Sequence, residues 1–150
     1  MTYDPRFTGN STTPVPSSQT VQNAASNTTG LTLTQLTPVK VNSDGSLGTV
    51  NVSIEADVQA IAGIVASNIP NGTSGNVASD GRILNIGSTY PYGTQLYISK
   101  TGGVTNVQPS IGVGSFVSGD FVVSLGVVAQ NNTNPSNYDL IVRILLVGQL

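Results

Sequence analysis

Apolar and polar residues alternate in several short runs between residue 31 and the end of the chain. Residues 39–41 and 50–54 both alternate, and they flank a turn signal, Ser-Asp-Gly-Ser, at residues 43–46. Two alternating runs on either side of an Asp-Gly turn predict a β-hairpin. Residues 31–36 also alternate, with one slip, and predict a further strand.

The segment at residues 57–69 is ambiguous between a strand and a helix. Asp57 would cap a short helix with apolar residues at helical spacing. Gly63 in its middle would cost that helix about 1 kcal/mol relative to alanine. The β-branched content and the strand-like flanks favour a strand, and the short helix stays as the alternative.

Turn dipeptides and short apolar runs divide the rest of the chain. Asn-Gly at 71–72 and Asp-Gly at 80–81 predict turns, and residues 83–86 predict a short strand. From residue 90 onward the pattern predicts four or five short strands, with local pairing at residues 111–113. The main ones are Leu96–Ile98, Val104–Val107, Phe121–Ala129 and Asp139–Val147. Residues 31–150 are therefore expected to form an all-β domain, a small sandwich or barrel of jelly-roll type.

Residues 1–30 have a different composition. Ser, Thr, Asn and Gln dominate, and Pro14 and Pro16 favour extended backbone. So polar a segment cannot bury enough apolar surface to order itself. We expect an extended N-terminal arm, either disordered or ordered only against neighbouring subunits.

The closing strand is apolar on both faces except at Asp139 and Arg143. Leu140, Val142, Ile144 and Leu146 would lie on one face, and Asp139, Ile141, Arg143, Leu145 and Val147 on the other. Such a pattern predicts that both faces are covered. The strand would either be central in a two-sheet sandwich, with Arg143 reaching outward, or form a subunit interface, with Arg143 paired across it.

Composition removes several function classes. Only 8% of the 150 residues are charged, the net charge is −2, and the chain has no histidine, cysteine or tryptophan. A zinc site, a thiol nucleophile, a Ser-His relay and a disulfide all need residues that are absent. The five basic residues form no patch for nucleic acid, and no apolar stretch is long enough to span a membrane. A surface with so little charge is either covered by other protein or solubilised by hydroxyl and amide groups.

Candidate chemistry is sparse, and the sequence predicts no catalytic residue, cofactor or metal site. Asp44, Asp80 and Asp120 each adjoin a glycine and are expected to form turns. Glu55 and Asp57 would share a strand face without a second acidic cluster. Three tyrosines could stack on a sugar, and they are Tyr90, Tyr92 and Tyr97.

Three stretches in residues 75–150 follow a recognisable pattern. The first is a strand of the form Gly-x-x-Leu-Tyr-Ile-Ser, at Gly93, Leu96, Tyr97, Ile98 and Ser99. The second is a hairpin at Gly102, Gly103, Val104 and Thr105, and the third is a strand at Leu125, Gly126, Val127 and Val128. Together they resemble the small β-rich capsid decoration, or cement, proteins of tailed bacteriophages.

This resemblance implies a non-enzymatic virion protein on the outer capsid surface. Its partners would be the major capsid protein and copies of itself, as a homotrimer or, second, as a dimer. It would bridge capsid subunits through buried interfaces, and the N-terminal arm would add contact area. The alternative is a tail-fibre or adhesin-type module that recognises a surface glycan through the tyrosines.

Overall fold

One antiparallel β-sheet holds most of the regular structure. The computed structural model describes residues 21–87 and 90–150, and within them the chain forms nine strands and one short helix. The elements are β1 (Val21–Ser26), β2 (Pro38–Val41), β3 (Leu47–Thr49), α1 (Glu55–Gln59), β4 (Ile61–Val65), β5 (Ser74–Ile83), β6 (Gln95–Ile98), β7 (Val104–Thr105), β8 (Phe121–Gln130) and β9 (Tyr138–Gln149).

The sheet runs in the order β3-β2-β4-β5-β9-β8-β6-β7, with β1 paired to β5 outside this path. It curls into a half-barrel, which confirms the predicted all-β class. The long strands β8 and β9 are paired over most of their length, and β9 connects the N-terminal strands to the C-terminal ones. The described helices include none long and apolar enough to cross a membrane.

The predicted hairpin is present, but its second strand is Leu47–Thr49 rather than residues 50–54, and the ambiguous segment after it divides in two. β2 and β3 pair on either side of the turn at residues 43–46. Within residues 57–69, the first three residues belong to the end of α1, and Ile61–Val65 form β4. The helix prediction is therefore right for the start of the segment and the strand prediction for its middle. Asp57 does not cap α1, because the N-cap is Ile54 without a side-chain hydrogen bond. Gly63 lies in β4 at φ 151°, and a Cβ there would lie 2.3 Å from the carbonyl oxygen of Ala78.

Several other local predictions differ from the structure. The turn at 71–72 is confirmed, but Asp-Gly at 80–81 lies inside β5 and continues the strand. Of the strand predicted at residues 83–86, only Ile83 lies in a strand, as the last residue of β5. Residues 31–36 contribute one isolated bridge, between Leu33 and Ile69, in place of a strand. Residues 111–113 lie in a turn, and β7 has two residues where four were predicted.

Two groups of buried side chains hold the sheet in place. The larger lies on the concave side of the central strands and includes Ile64, Leu96, Leu125 and Leu140. The smaller surrounds Val39, Leu47 and Ile69 near β2 and β3. Each fully buried side chain of this size contributes roughly 1.5–3 kcal/mol to stability.

The predicted N-terminal arm is described only in part. Residues 1–20 lie outside the described residues, and the arm stays a prediction there. Val21–Ser26, within the predicted arm, pairs with β5 as β1. Asn27 follows it and is completely buried, with its side-chain amide donating to the carbonyl oxygens of Leu31 and Ile69, both at 2.7 Å.

Candidate interaction surface

The outer face of β9 is apolar and exposed. Leu140 and Val142 point into the core and are buried. Ile141 and Leu145 point outward and are about half exposed, at 46% and 54%. The prediction that both faces of this strand are covered inside a two-sheet sandwich is therefore wrong for the single chain, because one curled sheet leaves this face open. The alternative, a subunit interface on this face, stays a prediction.

Two register shifts extend the exposed apolar stretch. Opposite β8, the chain of β9 carries one extra residue between Val142 and Leu145 and another at Val147. Each such bulge changes which side chains point outward and increases the local twist. As a result Leu145, Leu146 and Val147 are all more than half exposed, although strict alternation would bury one of them.

Within residues 21–87 and 90–150, one edge of β9 has no partner strand beyond Arg143. β5 pairs with β9 only where Asp80–Ile83 lie opposite Leu140–Arg143. Past this point β8 continues on the other edge up to Gln149. Among the described residues, no strand pairs with residues 144–149 on the side away from β8.

A long loop meets the end of β9 and adds to this surface. Gly119 donates to the carbonyl oxygen of Leu150 at 2.6 Å and accepts from the side-chain amide of Gln149 at 2.8 Å. The loop at residues 106–119 exposes four large apolar side chains, Val107, Ile111, Val113 and Val117. We call residues 106–119 and 144–150 together the C-terminal surface. A small pocket of about 160 Å³ opens in its loop, between Val107, Pro109 and Phe116.

The C-terminal surface contains no charged residue. Elsewhere, six of the ten charged side chains in the described ranges form three internal ion pairs. These pairs are Lys40–Asp57, Arg82–Asp139 and Lys100–Asp120. The free charge that the described residues present to solvent is thus even lower than the composition suggests.

The Lys100–Asp120 pair holds the loop at residues 106–119 to the sheet. Asp120 is buried and accepts hydrogen bonds from Lys100 at 2.5 Å and from the backbone of Val117 at 2.8 Å. The hydroxyl of Ser53 donates to the same carboxylate at 2.7 Å. Burial raises the pKa of Asp120, but these hydrogen bonds and the nearby charge of Lys100 together lower it to about 2. Asp120 was predicted to form a turn, and the structure gives it this anchoring role as well.

A second buried carboxylate, Asp139, joins β9 to β5 and the following loop. Its two oxygens accept from the guanidinium of Arg82 at 2.8 Å, the side-chain amide of Asn131 at 2.9 Å and the backbone of Asn85 at 3.0 Å. By strict alternation Asp139 shares a face with Ile141, yet Asp139 is fully buried. Arg82 follows Asp80-Gly81, and no pattern around it indicated that it would pair with Asp139.

Three further acidic residues have local structural roles. The carboxylate of Asp44 accepts from the backbone and hydroxyl of Ser46, which confirms the turn and lowers the pKa of Asp44. Glu55 bonds Gln59 on α1. Asp57 contacts Lys40 and the backbone of Asn51. Within the described ranges, no three acidic side chains form a group that could hold a metal ion.

The tyrosines are in three different settings. The ring of Tyr92 lies 4.8 Å from that of Tyr138, and its hydroxyl donates to the carbonyl oxygen of Pro135 at 2.7 Å. Tyr90 packs against the main core, and Tyr97 is half-buried on β6. An open pocket of about 300 Å³ lies beside the tyrosine pair, and the described residues that line it are Asn85, Gly87, Ser136, Asn137 and Tyr138.

Comparison of the chain with protein-family models and with curated proteins finds no match.

Proposed function

We propose that this chain is a structural protein of a tailed-phage virion that binds the outer surface of the assembled capsid. There it bridges major capsid subunits and stabilises the shell against outward pressure. The observation that carries this proposal is the distribution of charge and apolar side chains over the surface.

Most charged side chains of the described residues pair with one another, whereas many large apolar side chains are exposed to solvent. Four charged side chains of the described residues lie outside the three ion pairs: Asp44, Glu55, Asp80 and Arg143. Among the residues whose exposure is described, thirteen large apolar side chains are exposed, including Leu31 at 75%. Permanent protein interfaces are more apolar and less charged than free surfaces, so this distribution suits a protein that works in contact with other subunits.

The positions that carry the resemblance to decoration proteins supply further support, because they lie in neighbouring strands. Residues 93–99 include β6, residues 102–105 include β7, and residues 125–128 lie in β8. These three strands are adjacent in the sheet. The resemblance therefore corresponds to one continuous part of the fold rather than to scattered turns.

Binding to capsid shells tests the proposal directly. The purified full chain is incubated with undecorated shells of its cognate major capsid protein, and the shells are then sedimented. We expect the chain to sediment with the shells at a fixed stoichiometry and to raise the temperature at which they rupture. An uncharged β-protein of similar mass serves as the control. Absence of both binding and stabilisation would refute the proposal.

A second candidate function, glycan recognition, is favoured by the Tyr92–Tyr138 pair. Tyr92 is 44% exposed, and its ring contacts Tyr138, which lines the pocket together with Asn85 and Asn137. Aromatic faces beside amide groups are suited to sugar rings. Glycan-array binding that is lost in Tyr92→Ala and retained in Tyr97→Ala would favour this function over capsid binding.

A further inference from the structure

We propose that the pocket in the loop at residues 106–119 is a binding site for one uncharged phenol ring, either of a free small molecule or of a tyrosine side chain on a partner. This inference goes beyond the proposed function and holds whether or not the chain binds a capsid. The site is separate from the pocket beside Tyr92 and Tyr138, because the two pockets share no described lining residue.

The first argument is the size and the lining of the pocket. Its volume is about 160 Å³, and its apolar walls are Val107, Pro109, Val113 and Phe116. An apolar cavity of about 150 Å³ is large enough to bind benzene. Phe116 is buried and packs in the main core, so this wall is held in place and offers an aromatic surface to a second ring. The pocket therefore fits one six-membered ring.

The second argument is that the loop forms the pocket without a ligand. The backbone of Gly112 donates to the carbonyl oxygen of Phe116 at 2.9 Å and closes the loop on itself. Gly114 and Ser115 follow each other in the left-handed region, at φ 59° and 67°. A serine in this region is strained, and such strain persists where the surrounding structure fixes it, as it does at ligand sites. Binding therefore does not require the loop to become ordered first.

The third argument concerns the two polar side chains of the pocket. Ser99 and Thr105 each contribute a hydroxyl group to its lining. The Thr105 oxygen accepts from the backbone of Val107 at 3.1 Å, and its proton has no acceptor among the described residues. A hydroxyl group has one donor and two acceptor positions, so Thr105 can still donate to a ligand and accept from it. A phenol hydroxyl can do both in return, which a plain hydrocarbon ring cannot.

The absence of free charge decides between classes of aromatic ring. Residues 106–119 contain no charged side chain, and the charged residues that flank the loop, Lys100 and Asp120, pair with each other at 2.5 Å. A benzoate or an aromatic amine would lose its hydration in the pocket without gaining an ion pair. A phenol such as that of tyrosine is uncharged at neutral pH, because its pKa is about 10.

Titration of the full chain with p-cresol, followed by amide chemical shifts, tests the site. We expect saturable shifts that centre on residues 99–116, with a dissociation constant of about 1 mM for a ligand of this size. Benzoate has a ring of similar size and a charge, and it should bind about tenfold more weakly or worse. Absence of saturation with p-cresol, or equal binding of benzoate, would overturn the inference.

Val113→Trp and Val117→Trp are a matched pair of variants. Both valines lie in this loop and are exposed, at 40% and 55%, but only Val113 is among the residues that line the pocket. Val113→Trp should weaken p-cresol binding by about tenfold or more, because the indole competes for the space of the ligand, and Val117→Trp should leave it unchanged. Equal affinity in the wild type and Val113→Trp would place the ring elsewhere and refute the inference.

Thr105→Val covers the case in which Val113→Trp fails to fold. It keeps the shape of the side chain and removes the hydroxyl, so p-cresol should bind about threefold more weakly while toluene binds as before. Unchanged p-cresol affinity in this variant would refute the hydroxyl contact on which the choice of a phenol rests.

N-acetyltyrosinamide distinguishes the two sources of the ring. It carries the same phenol on an uncharged backbone. Binding as tight as that of p-cresol supports a tyrosine side chain of a partner, and binding of p-cresol alone supports a free small molecule. If neither binds, the inference is overturned. None of these titrations contains a capsid shell, so their failure is distinct from failure of the proposed function.

Discussion

The backbone of Gly126 lies against the carbonyl group of Ile141 across the β8–β9 pair. A Cβ atom on Gly126 would lie 1.9 Å from that oxygen, and Gly126 has a φ of 144°. The close approach coincides with the register shift between Ser124 and Gly126, so the bulge in β9 depends on a residue without a side chain.

Replacing this glycine is expected to destabilise the whole sheet. Gly126→Ala should lower the free energy of unfolding by about 3 kcal/mol or more, since backbone strain and steric overlap both contribute. Gly148→Ala is the control in the same strand pair, because a Cβ there meets nothing within 4 Å. Urea denaturation of the three proteins checks the prediction, and equal effects of the two substitutions would contradict it.

Stability should fall in acid through Asp120. Its pKa is about 2 in the folded chain, against an ordinary value of 3.8, so the unfolded chain binds more protons below about pH 4. The contribution of Asp120 is complete above this pH and is lost as the pH falls towards 2. Asp120→Asn should therefore show a shallower loss of stability between pH 4 and pH 2, measured by denaturation at several pH values. The lowered pKa of Asp44 also makes stability fall in acid, but it does so in both the wild type and Asp120→Asn. The difference between the two pH profiles therefore reports Asp120 alone. An identical pH dependence in the two proteins would contradict this prediction.

Removing the Asp139 carboxylate should remove an acceptor from three donors around a fully buried position. Asp139→Ala takes one acceptor each from Arg82, the buried Asn131 and the backbone of Asn85, and we expect a loss of about 2–4 kcal/mol. Asp80→Ala removes an exposed carboxylate on β5 and should change the free energy of unfolding by less than about 0.5 kcal/mol. Thermal unfolding of both variants tests the contrast. A small effect at Asp139 would mean that water replaces the carboxylate.

The attachment of β1 should depend on Asn27. Asn27→Ala removes two donors to the carbonyl oxygens of Leu31 and Ile69 and an acceptor for Thr29. We expect a loss of about 1–3 kcal/mol and faster amide exchange in β1, with Asn76→Ala as the exposed control. Unchanged exchange in β1 would show that pairing with β5 alone holds this strand.

The sequence predicted the elements that local rules determine. The Asp44-Gly45 turn was enough to predict a hairpin there, although alternation placed its second strand at residues 50–54 instead of 47–49, and the apolar runs were enough for β8 and β9. Asp80-Gly81 was predicted to be a turn because that dipeptide favours turns locally. Pairing of β5 with β1 and β9 on either side of this position outweighed the local preference.

Features that depend on long-range contacts were beyond the sequence. Strict alternation placed Asp139 outside, whereas Arg82, 57 positions away, makes its burial favourable. Leu146 and Val147 are both exposed because β9 contains two bulges, and these bulges are visible only in its pairing with β8. The apolar character of β9 was read correctly, but periodicity could not show that one sheet, rather than two, would leave its outer face open.

The pairing of β1 with β5 has a mechanical consequence. Residues 1–20 join the domain at Val21, which lies opposite Asp80, and Asp80 also lies opposite Arg143 of β9. A pull on residue 20 along the strand axis would load the six β1–β5 positions in shear, together rather than one after another. The load would pass through Asp80 into β9 at the centre of the sheet. Detaching β1 by such a pull would therefore require all six of its pairings with β5 to break together.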